Sequence, residues 1–80
     1  MRDITVLFFS YAADRMNGRQ RRYSVEDGTT IESLFDEKLA PALGDAVQQF
    51  RFSVNAAWAD PSTVLEDGDE VAVIPPVSGG

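Results

Sequence analysis

Cysteine and histidine are both missing from the 80 residues. Without cysteine there is no thiolate nucleophile, no disulfide framework and no Cys–His metal site; without histidine there is no imidazole base poised near neutral pH. The redox compartment stays open, and a reducing cytosol is compatible. A membrane span needs about 20 apolar residues, and no such run is present. The opening MRDITVLFFSYAADR mixes apolar with polar residues and does not read as a secretory signal. A cytoplasmic protein without membrane contact is expected. Cations are scarce too: 7 Lys and Arg stand against 13 Asp and Glu, a net charge of −6. That balance argues against general nucleic-acid binding. A chain this short buries only about 60–65% of its unfolded surface, which leaves room for one sheet and one or two helices but not for a deep pocket.

What is present reads as alternating strands around one helix. DITVLFF (residues 3–9) is β-branched and aromatic, with Ile4, Val6 and Phe8 on one face and Leu7 and Phe9 on the other. Apolar residues on both faces imply a central strand or a sheet face that meets a partner. Asn17-Gly18 signals a hairpin turn. RQRRYSV (19–25) follows as an edge strand whose arginines discourage edge-to-edge pairing. Thr29 and Glu32 form a capping-box pattern, and Ile31, Leu34, Phe35 and Leu39 share one helical face. Pro41 marks a stop near Ala40, with a short helical turn over 42–47. FRFSVNAAW (50–58) gives a strand with Phe50, Phe52 and Val54 inward, a turn near Asn55 and a short strand at Trp58. Asp67-Gly68 turns into a last strand over 70–74. A hairpin, a covering helix and a terminal strand that returns parallel to the first make a β-grasp, ubiquitin-like α+β fold. The expected architecture is a mixed four- to five-stranded sheet on one main helix, with a domain over 1–76 and a flexible tail over 77–80.

Most groups that invite a chemical reading also have a plain one. Arg15, Arg19, Arg21 and Arg22 read as the polar side of an edge strand, since no aromatic interleaving beyond Tyr23 makes a nucleic-acid platform. Glu66–Glu70 lacks the spacing of a calcium loop and reads as a solvated turn, with no metal site. Trp58 reads as core or its rim. The tail VIPPVSGG (73–80) is different. Pro75 and Pro76 end sheet pairing and favour an extended path. Gly79 and Gly80 have no Cβ and pass where other residues do not fit. The α-carboxylate of Gly80 is ionised at neutral pH and is a poor electrophile until a partner activates it. An ATP-consuming enzyme would make it an acyl-adenylate, and a sulfur or amine nucleophile would displace AMP. With no cysteine in the chain, carried sulfur must ride on the terminal carbonyl. An inert tail on a plain binding module is the rival from another class.

The block LEDGDEVAVIPPVSGG (65–80), with ITVLFFSYAADRMNG and VNAAWADPSTVLEDGDEV, resembles the MoaD-type small subunits of molybdopterin synthase. Ser78 stands where many members have threonine. The resemblance implies a β-grasp fold and a sulfur carrier that is no enzyme on its own and binds no cofactor itself. A MoeB-like adenylating enzyme would spend ATP on Gly80, and a sulfurtransferase would complete the thiocarboxylate. A MoaE-like large subunit would receive the tail and pass sulfur to the pterin precursor. Gly80 would carry the reacting carbon and Gly79 would supply slimness. Pro75, Pro76, Val77 and Ser78 would dock the tail. A ThiS-like carrier for thiamine or another pathway, and a ubiquitin-like protein modifier, share the Gly-Gly ending and stay open.

Overall fold

A computed structural model describes residues 1–76. Strand β1 (Arg2–Phe8) carries the β-branched and aromatic residues that suit an extended chain. Ile4, Val6 and Phe8 are buried, while Asp3, Thr5 and Leu7 take the other face. After α1 (Tyr11–Arg15), β2 (Gln20–Val25) pairs antiparallel with β1, from Arg2 opposite Val25 to Leu7 opposite Gln20. The connection is not the tight Asn17-Gly18 turn expected. It holds α1, because Ala12 and Met16 have apolar surface to bury in the core.

The helical arm runs through α2 (Ile31–Leu34), a π-helical turn (Phe35–Leu39) and α3 (Ala40–Leu43). Ile31, Leu34, Phe35 and Leu39 are all buried, as their spacing predicts. The capping box lies one residue later than expected. Thr30 Oγ1 accepts from the Ser33 N–H (3.1 Å), and Ser33 Oγ accepts from the Thr30 N–H (3.0 Å). Thr29 is unavailable because its carbonyl already accepts from the Leu65 N–H (2.8 Å), in the bridge that joins Thr30 to Val64. Pro41 does not stop the helix either. The helix widens just before it, which accommodates a residue without an N–H, and ends instead at Gly44 with φ 77°.

A 3₁₀ turn (Val47–Gln49) leads to β3 (Arg51–Val54), β4 (Ala57–Ala59) and β5 (Glu70–Ile74). The sheet order is β2-β1-β5-β3-β4. The last strand enters the middle: β5 runs parallel to β1 and antiparallel to β3. The helical arm covers one face only, where the Phe35 ring meets those of Phe50 (5.1 Å) and Phe52 (6.0 Å). On the opposite face the registers set Leu7, Ala72, Ser53 and Trp58 in one row across four strands. Among the described residues no helix is long and apolar enough to cross a membrane.

Candidate carrier tail and sheet surface

Strand β5 ends at Ile74 and delivers the chain to Pro75, which is buried, and Pro76, which is exposed. Pro75 therefore still belongs to the body of the domain. Val77, Ser78, Gly79 and Gly80, with the flexible tail expected over 77–80, lie outside the described residues.

Near the place where the tail departs, the sheet shows apolar surface. Val73 pairs with Phe8, so the next residues, Ile74 and Phe9, reach the same rim. Phe9 is 47% exposed, and Ile74 is half-buried. A shallow cup of about 470 Å³ beside them is lined by Leu7, Phe9, Ser10, Ala13 and Arg19. Trp58, expected in the core or its rim, is 69% exposed on the edge strand β4, with the Arg51 guanidinium 5.8 Å from its ring centroid. Sequence reasoning missed it because a three-residue strand flanked by alanines has no alternation to reveal its direction. The exposure of Phe9 follows from its place opposite the helix-covered face, which the alternation of β1 did show.

The acidic turn before β5 is a clamp as well as a surface. Asp67 Oδ1 accepts from the Asp3 N–H (2.7 Å), and the Gly68 N–H donates to the Asp3 carbonyl (2.7 Å). Gly68 has φ 87°, a conformation that suits glycine. Asp69 is buried, and its two oxygens accept from Asn55 Nδ2 (2.9 Å) and the Glu66 N–H (2.8 Å). Asn55 Oδ1 in turn accepts from the Glu70 N–H (3.0 Å). These bonds fix the start of β5 against β1 and β3, and so fix where its other end releases the tail.

The four clustered arginines divide. Arg15 donates to the Leu43 carbonyl and lies 5.1 Å over the Tyr11 ring; Arg21 donates to the Met16 carbonyl (2.6 Å). Arg19 and Arg22 are exposed. Beside Arg15, the Tyr11 hydroxyl donates to Asp45 Oδ2 (2.9 Å). Partial burial, then the bond to Asp45, raises the Tyr11 pKa above its ordinary value.

A mixed five-stranded sheet curled over one helical arm, with its last strand central and a Gly-Gly segment beyond it, defines the ubiquitin-like β-grasp class. The profile of the ThiS family matches residues 6–80, and the chain belongs to that family. Three curated relatives bear the name molybdopterin synthase sulfur carrier subunit, in keeping with the role read from the tail. The one from Mycobacterium tuberculosis is 39% identical, covering 96% of both chains. The Chlamydomonas reinhardtii and human proteins are each 35% identical, covering 96% of this chain and 98% and 93% of their own. Among solved structures, SAMP1 from Haloferax volcanii superposes with a TM-score of 0.82 at 26% identity, covering 98% of this chain and 99% of its own. Subunit 1 in a two-subunit molybdopterin-converting factor complex from Helicobacter pylori has the same fold, with a TM-score of 0.67 at 24% identity, covering 98% of this chain and 99% of its own.

Proposed function

We propose that this chain is the sulfur carrier subunit of a molybdopterin synthase. The observation that carries the reading is its likeness, over nearly the full length, to three curated carrier subunits. The fold agrees with it: β5 ends beside a rim where Phe9 is exposed and Ile74 half-buried, a surface on which a large subunit would dock. In the proposed cycle, a Gly80 carboxylate oxygen attacks the α-phosphate of ATP in a partner enzyme, and pyrophosphate leaves. A hydrosulfide-equivalent nucleophile then attacks the activated carbonyl, AMP leaves, and a thiocarboxylate remains. Gly79 and Gly80 pass through the partner's narrow channel, and Pro75, Pro76, Val77 and Ser78 set the approach. The large subunit supplies the pterin site and its acids and bases.

Intact-mass analysis tests this after incubation with a MoeB-like adenylating enzyme, ATP, a sulfurtransferase and its sulfur donor. The expected product carries one oxygen-to-sulfur exchange at Gly80. Deleting Gly80 abolishes the exchange without changing the circular dichroism, and absence of any exchange in the intact chain sinks the proposal. The likeness to SAMP1 favours a second reading, attachment to protein amines through the same activated carbonyl. Lysine isopeptides in place of a thiocarboxylate would select it.

A further inference from the structure

Strand β2 is the outermost strand on its side of the sheet. The Phe8 N–H donates to the Arg19 carbonyl (2.8 Å), which makes Phe8 and Arg19 a hydrogen-bonded antiparallel pair. Such pairs alternate along the ladder, so the backbone of Arg21 and Tyr23 also faces β1. The N–H and C=O groups of Gln20, Arg22 and Ser24 therefore face outward. Among the described residues no backbone or side-chain partner reaches them. The edge thus offers three residues of open ladder.

Its charge is unlike that of the rest of the molecule. Arg15, Arg19, Arg21 and Arg22 are four of the seven Lys and Arg residues, in a chain with 13 acids. Among the described residues none of them has a carboxylate within 4.0 Å; the only ion pairs join Arg2 to Asp27 and Glu66. A second copy of β2 is a poor occupant, because it would set arginines against arginines. The same arginines favour a strand bearing carboxylates, by charge complementarity across the new pair.

We propose that the outer edge of β2 is a docking site for an acidic, extended segment of a partner protein, which adds as a sixth strand through Gln20, Arg22 and Ser24. The segment's carboxylates lie toward Arg22 on one face of the sheet and toward Arg19 on the other. Its other end is neutral, because Glu26 and Asp27 follow β2 there. This site meets the shallow cup at Arg19 and Gln20 but runs along the opposite side of β2 from β1 and β5, and it does not depend on the sulfur-carrier reading.

Amide NMR of the full chain tests it, with a capped octapeptide of valines around two adjacent pairs of glutamates, which present carboxylates on both faces, as the probe. Expected are shifts and slowed hydrogen exchange at the outward amides of Gln20, Arg22 and Ser24, with smaller changes at Arg21 and Tyr23. Replacing glutamate by lysine in the peptide abolishes binding. Arg19→Glu with Arg22→Glu weakens it by about tenfold or more, and the same spectra show whether that variant is folded. Equal binding of the lysine peptide, shifts confined to Leu7, Ala72 and Trp58, or no change at millimolar peptide would each overturn the proposal; the arginines would then serve only to block edge pairing.

Discussion

Asn55 and Ala56 join β3 to β4 in a two-residue loop, with φ 51° and 71°. Positive φ at both positions suits Asn-Gly, and alanine there is strained by its Cβ. Ala56→Gly should therefore stabilise the fold by about 0.5–1 kcal/mol, read as a higher urea midpoint with an unchanged slope. Asp69 predicts the reverse. Its substitution by alanine leaves the Asn55 amide and the Glu66 N–H without their acceptors, and should cost about 1–3 kcal/mol in the same assay. Both residues sit in segments that composition marks only as turns. Asn55 was legible as a turn residue; its bonds to Asp69 and Glu70 were not, because they join positions distant in sequence.

The helical arm shows how far local pattern reaches among whole elements. Its buried face was legible, since Ile31, Leu34, Phe35 and Leu39 repeat at helical spacing and all point to the core. Its limits were not. The start moved by one residue because the bridge to Val64 holds Thr29, and the end moved past Pro41 because a wider turn absorbs the missing N–H. Neither cause is local to the helix sequence. Phe35 is fully buried between Phe50 and Phe52, so Phe35→Ala should cost about 3–5 kcal/mol in chemical denaturation. The bond from Tyr11 to Asp45 ties α1 to the segment after α3. Tyr11 keeps its proton to higher pH in the folded chain than in the unfolded one, whose tyrosine titrates near 10.0. The stability linked to it is whole below that pH and is lost as pH rises through the folded value. Tyr11→Phe should flatten the alkaline fall in stability, measured by denaturation from pH 9 to 11; an unchanged slope would show that other groups set it.

For the whole molecule, the distribution of surface matters more than the amount of core. One face of the sheet carries the helical arm, and the other carries Phe9 and Ile74 beside the end of β5, with Trp58 two strands away on the edge strand β4. If a large subunit covers that face, Phe9→Asp and Trp58→Ala should each weaken the complex by about tenfold or more, measured by calorimetry, while leaving the thermal midpoint of the free chain nearly unchanged. The return of the last strand parallel to the first was legible from the succession of elements. The direction of Trp58 was not, because exposure on a short edge strand depends on its neighbours across the sheet.

The central position of β5 also bears on synthesis. Strand β5 alone joins the pair β1 with β2 to the pair β3 with β4 in the sheet, so no ladder can link the two pairs before that strand is made. Translation adds about 5–20 residues each second, so β5 is made on the order of a second after β4. A product terminated before Glu70 lacks the one strand that unites the sheet and cannot complete it. Folding thus acts as a proofreader of length: a copy that reaches its native form has been translated at least to the threshold of its tail.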